Sequence, residues 1–142
     1  MDQVQFLSED ISFILENQSA HVDWFSAIVE DHNRAIGEFS FVFCTDDRLL
    51  EINREVLNHD YYTDIITFPL HVDGAIELVA EFYISIERVK DNANGLKVDF
   101  NDELDRVMIH GILHLLGYDD KTDALKEAMR LVEDKSLERR NW

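Results

Sequence analysis

The chain has 142 residues, with 30 acidic side chains against 13 basic ones, six histidines, one cysteine and a formal net charge of −17. That length sets a prior of a single domain, 1–142, with room for a sizeable core, and the 46% hydrophobic and 11% aromatic content excludes a disordered acidic tail. The lone Cys44 excludes a disulfide framework and a cysteine-rich zinc knuckle, and the negative charge argues against a non-specific nucleic-acid coat held by phosphate contacts.

Val4–Leu7 is a short apolar run and predicts an opening strand. Trp24, Phe25, Ile28 and Val29 recur at helical spacing and predict a helix over His21–Asn33, a unit that Gly37 is expected to end. The aromatic, β-branched run Glu38–Cys44 predicts a strand. Thr45 follows at an N-cap position with Asp46 and Asp47 in the first turn, so a helix is expected over Asp46–Leu57. Asn58-His59-Asp60 is turn chemistry, and Ile65–Phe68 predicts a strand that stops at Pro69. Leu78–Ser85 predicts another strand, leading into a short helix Ile86–Ala93 that Asn94-Gly95 is expected to close.

Asp99, Asn101 and Asp102 crowd the start of a helix that is apolar almost all round, with Leu104, Val107, Met108, Leu113, Leu115 and Leu116. It is expected to be the buried central helix, stopped at Gly117. Thr122 then caps an amphipathic helix predicted over Asp123–Arg139. Strands alternating with helices imply an α+β domain: a mixed sheet of about four strands with helices packed on it. No stretch reaches the roughly 18 apolar residues of a membrane span, and Met1-Asp-Gln-Val-Gln lacks the basic and apolar regions of a secretion signal. A cytoplasmic protein with no membrane partner is the expectation, with the oligomeric state left open.

The informative stretch is His110-Gly-Ile-Leu-His114-Leu-Leu-Gly117-Tyr-Asp-Asp120. At i and i+4 on an α-helix, two side chains stand about 40° apart in azimuth and roughly 6 Å apart along the axis, so both imidazoles can ligate one ion. Gly117 reverses the chain and can fold Asp119 or Asp120 back beside the rings, and two histidines plus a carboxylate make the three-ligand set of a catalytic zinc site. The alternative is a pair of core histidines hydrogen-bonded to carbonyls or carboxylates. Two polar rings on an otherwise apolar helix favour the metal. So does Gly111, which weakens a helix interior and implies close approach of another group. With Gly at 111, the glutamate of the His-Glu-x-x-His peptidases is missing.

This stretch resembles the signature of the bacterial YbeY family of metal-dependent endoribonucleases, His-Gly-x-Leu-His-Leu-x-Gly-Tyr-Asp-His, with Asp120 in place of its third histidine. Tyr62-Thr63-Asp64-Ile65-Ile66-Thr67-Phe68-Pro69 resembles a second family block, Pro-Thr-Asp-Val-Leu-Ser-Phe-Pro, and Asn53 resembles the asparagine ahead of it. Ala80-Glu81-Phe82 is a fainter echo of a Gly-Asp-Ile strand block.

The resemblance implies one Zn2+ per chain on His110, His114 and the residue at 120, with Asp119 and Asp123 as rivals for the third place. It implies an endonuclease of single-stranded RNA that matures the 16S rRNA 3′ end and serves ribosome quality control, with RNA and the ribosome or its small subunit as partners. A metallohydrolase of peptides or other phosphoesters, and a non-catalytic ribosome-associated metal-binding factor, are the alternatives. A carboxylate at 120 cancels one of the ion's charges, which makes it a weaker Lewis acid and widens the choice toward manganese and other harder ions.

The family's arginine six residues before the block's threonine falls on Leu57. Arg54 is the candidate replacement and Asp64 a candidate base, against plain roles on a solvated helix face and in a turn. Tyr118 either stacks on a base or simply packs. A basic groove is expected near the metal, with Lys126, Arg130, Arg139 and Arg140 as candidate contributors. His21, His32, His59 and His71 are expected to be ordinary surface residues, and Cys44 a core one.

Overall fold

The sheet is built on three parallel strands, and the computed structural model describes residues 3–142 of the chain. In chain order the elements are β1 (Gln3–Ser8), α1 (Gln18–Asp31), β2 (Ala35–Cys44), α2 (Asp46–Leu57), β3 (Ile65–Pro69), β4 (Glu77–Ser85), α3 (Ile86–Leu96), α4 (Phe100–Leu115) and α5 (Asp123–Glu138). The sheet order is β1-β2-β4-β3, with β3 antiparallel to β4 at the edge. An edge position is where a strand can end on Pro69, which has no N–H to give a neighbour. The result is the expected α+β fold with a four-stranded mixed sheet.

Alternation along the strands separates two apolar layers. Phe39, Phe41 and Phe43 of β2 and Leu78, Ala80, Phe82 and Ile84 of β4 face the main core, where they meet Phe25 of α1 and Leu104, Met108 and Ile112 of α4. Phe41 and Phe82 stack there at 4.4 Å. On the other face Cys44 and Ile66 join Leu49 and Ile52 of α2 in a smaller cluster. α4 is the buried helix, with Leu104, Met108, Ile109, Ile112 and Leu113 fully out of solvent. Its start is capped by Asp99, and Thr45, Ser85 and Thr122 cap α2, α3 and α5 by accepting from amides two or three residues on. Gly117, with φ of 104°, stops α4 as expected. Among the described residues no helix is long and apolar enough to cross a membrane.

Several local expectations are corrected. α1 begins at Gln18, after Asn17 in a left-handed conformation, and a left-handed Asn33 makes the turn that Gly37 was expected to make. Gly37 instead lies within β2 at a register shift against β4, where a Cβ would meet the Leu78 carbonyl oxygen at 3.1 Å. α3 runs through Asn94-Gly95 to Leu96, and Lys97 takes the left-handed cap at φ 58°. At Gly37 the neighbouring strand approaches too closely for a side chain, whereas Gly95 is exposed and the helix simply continues through it. His21 is buried rather than on the surface, bonded to Asp105 Oδ1 at 2.7 Å and to Asn17 O at 2.9 Å.

Candidate metal centre

Gly111 seats α4 against the sheet. A Cβ there would lie 2.8 Å from Ile65 Cδ1, 2.9 Å from Phe82 Cδ1 and 3.1 Å from Thr67 Oγ1, so only hydrogen fits between helix and strands. This close approach brings His110 and His114, which flank it on α4, up to β3. After Leu115 the chain reverses: Gly117 N donates to His114 O and Tyr118 N to Leu113 O, each at 3.1 Å. Asp119 Oδ1 then accepts from the amides of Asp120 at 2.7 Å and Lys121 at 3.1 Å, an Asx turn that points the chain back toward α4. Tyr118 is fastened to α1, its hydroxyl 2.9 Å from His32 Nε2, while His32 Nδ1 donates to Ile28 O at 2.8 Å. Tyr118 therefore packs, and its hydroxyl and ring are engaged.

The turn delivers Asp120 to the two rings. His110 Nε2 and His114 Nε2 are 3.0 Å apart, and Asp120 Oδ2 lies 3.5 Å from the first and 3.6 Å from the second. Zinc bonds of about 2.0–2.1 Å imply tetrahedral ligand separations of about 3.3–3.4 Å, so the three atoms stand near three corners of such a polyhedron. Two imidazole nitrogens and one carboxylate oxygen are a fitting donor set for a divalent ion, and this group can hold one. Asp119 is occupied in its turn and Asp123 opens α5, so neither joins the cluster.

Behind the rings stands Glu133 of α5, only 5% exposed. Its Oε2 accepts from His110 Nδ1 at 2.6 Å, and its Oε1 accepts from Arg106 Nη1 at 2.9 Å. A carboxylate that takes the Nδ1 proton leaves Nε2 with its lone pair turned toward the cluster. Burial alone would lower the His110 pKa and raise that of Glu133. The bond between them, with Arg106 adding to the hold on Glu133, reverses both, so His110 is raised and Glu133 lowered from their ordinary values. Sequence reasoning missed Glu133, although an acid four residues after Met129 and three before Ser136, both buried, lies on the inward stripe of α5.

The three donors open onto a cavity of about 630 Å³, whose wall also includes Asn53, Leu57, His59, Tyr61, Thr63 and Asp64. Asp64 is half-buried, near Asn92 Nδ2 at 3.4 Å, and burial raises its pKa against the pull of His110 and nearby backbone amides. No lysine or arginine lines this cavity among the described residues, but Arg106 and Arg130 line a neighbouring one that shares Asp64 and His110 with it, so the basic residues expected near the centre stand on that side. Arg54 lies outside both, exposed and bonded to Asp60. Arg139 is paired with Asp31, and Arg140 with Asp102 and Asp105. Lys126 and Arg130 are exposed on α5, and neither lines the first cavity. With 30 acids to balance, the basic residues near the site are largely spent on ion pairs.

Comparison with known proteins agrees along the whole length. The family model described as Endoribonuclease YbeY matches residues 3–141. The Endoribonuclease YbeY of Cytophaga hutchinsonii is 44% identical over 142 residues, covering 99% of this chain and 98% of that protein. That of Flavobacterium psychrophilum is 44% identical over 128 residues, 90% of each. The solution structure of TM1509 from Thermotoga maritima superposes with a TM-score of 0.65 at 26% identity, over 96% of this chain and 87% of that one. With a family match over residues 3–141 and relatives 44% identical over most or all of their length, this chain belongs to the YbeY endoribonuclease family.

Proposed function

We propose that the chain is a zinc-dependent endoribonuclease of unpaired RNA. It would act in the cytoplasm on the 16S rRNA 3′ end and in ribosome quality control, with the ribosome or its small subunit as partner. The observation that carries the reading is the convergence of His110 Nε2, His114 Nε2 and Asp120 Oδ2, 3.0 to 3.6 Å apart, at the wall of an open cavity. The names of the relatives support the reaction class, and two imidazoles with one carboxylate at tetrahedral spacing support zinc, with manganese as the harder alternative.

When bound, the ion supplies a Lewis acid for a phosphoryl oxygen. His110, His114 and Asp120 would hold it, and Glu133, by accepting from His110 Nδ1, would keep the His110 Nε2 lone pair available. Asp120 lowers the net charge of the centre. Asp64 is the other carboxylate of the cavity wall. Its raised pKa suits a group that takes the proton of the attacking hydroxyl, from water or the RNA 2′-OH, and returns it to the leaving oxygen.

Metal analysis of gently purified protein, with cleavage assays on unstructured RNA and on a peptide library, tests the reading. One divalent ion per chain is expected, with RNA cleavage that disappears in His114→Ala. Metal-free protein, or cleavage of peptides in place of RNA, overturns it.

A further inference from the structure

Two aromatic rings on the cavity wall are built into a flat surface. His59 and Tyr61 stack with centroids 5.2 Å apart and planes 20° from parallel, and the Tyr61 hydroxyl lies 3.0 Å from His59 Nδ1. Their loop is tied down from beneath by Asn53, itself 1% exposed. Asn53 Nδ2 donates to Tyr61 O at 2.9 Å, and His59 N donates to Asn53 O at 3.0 Å. The left-handed Asn58, at φ 56°, makes the preceding turn. The two rings lie nearly parallel and offset, and Tyr61 is 56% exposed, which leaves aromatic surface open to solvent. Holding two exposed side chains in one arrangement costs rotamer entropy, and no core contact offsets that cost here. A preformed planar surface of this kind suits a planar ligand.

We infer that His59 and Tyr61 are a stacking shelf for one unpaired nucleobase of the strand whose phosphate lies at His110, His114 and Asp120. The inference rests on the endoribonuclease reading and deepens it. The wall of this cavity offers no lysine or arginine to the strand, so a contact that does not depend on basic side chains adds affinity on this side. Base stacking on an aromatic ring is such a contact, tolerant of sequence. It also selects for single strands, because a base in a duplex already has both faces covered by its neighbours. Tyr118, which follows the stop of α4 at Gly117, is held by His32 and is not free for this role.

Fluorescence anisotropy with two labelled strands tests the shelf: a 2′-O-methyl oligouridylate and a ribose-phosphate strand of equal length without bases, both checked intact on gels, with zinc present. Wild-type protein is expected to prefer the base-bearing strand by about 5- to 150-fold, the range for stacking of one base. Tyr61→Ala should bring the ratio close to one and Tyr61→Phe should keep it, with circular dichroism confirming that both variants are folded. The shelf is overturned if wild type shows no preference, if the preference survives in Tyr61→Ala, if Tyr61→Phe loses it as well, or if neither strand binds up to the solubility limit. Failure of zinc-loaded wild type to cut unmodified oligouridylate sinks the endoribonuclease reading instead, whatever the binding ratio.

Discussion

The Glu133 carboxylate joins His110 Nδ1 at 2.6 Å to Arg106 Nη1 at 2.9 Å, so α5 decides which nitrogen of His110 is free for a cation. A glutamine cannot replace it cleanly. Its amide oxygen can accept from His110 or from Arg106, and its NH2 then faces the other donor. Glu133→Gln should weaken zinc binding by about 10- to 100-fold, the usual effect of losing such a partner. A competition titration against a chromophoric chelator measures it, and unchanged affinity would show that the bond does not orient the ligand.

Asp120→His exchanges an anion for a neutral ring and raises the net charge of the centre by one. The more positive centre acidifies what it holds, so the basic limb of the pH–rate profile should move to lower pH. Asp120→Ala should lose ion affinity instead. Parallel pH–rate curves for wild type and Asp120→His check the direction, and superimposable curves would contradict it.

Gly111→Ala adds a methyl where Phe82, fully buried, stands 2.9 Å away. Ala favours a helix over Gly by about 1 kcal/mol, whereas overpacking costs about 1–3 kcal/mol. The clash should win or the helix must shift, giving a lower Tm and weaker zinc affinity together. Thermal melts with and without zinc read both effects.

Cys44 is fully buried, and burial, with Asp10 and Glu9 nearby, raises its pKa to about 12 from the ordinary 9.0. The folded protein thus holds the thiol proton where the unfolded chain has released it. The sign is unfavourable at high pH: the stability contribution is intact below about 9 and declines by about 1.4 kcal/mol per pH unit above it. Ellman's reagent at neutral pH should find no thiol in native protein and one after denaturation. Urea melts of wild type and Cys44→Ala from pH 8 to about 10 should show the steeper loss in wild type.

Features set by near neighbours in the chain were legible in the sequence. The caps Thr45 and Thr122 and the stop at Gly117 follow from local chemistry and periodicity, while at Gly111 the glycine announced a close approach but not its distant partners Ile65, Thr67 and Phe82. The pairing of His110 with His114 was legible for the same reason, since four residues on a helix fix it. What escaped depends on distant segments. Glu133 meets His110 from 23 residues away, and His21 meets Asp105 from 84. Gly95 and Gly37 misled because a glycine permits a turn without requiring one. His59 looked like a turn residue on the surface, and only its stacking on Tyr61 at the cavity distinguishes it.

The hydrogen atom of Gly111 that lets α4 rest on β3 and β4 gives the centre an uneven build. The imidazoles are anchored in the scaffold itself, whereas Asp120 arrives on a short turn outside it. The centre thus stands on two fixed legs and one exchangeable one. Tuning the ion's charge or identity need only touch that third leg, so this position is where drift among related nucleases, or a designer, can alter the chemistry while sparing the architecture.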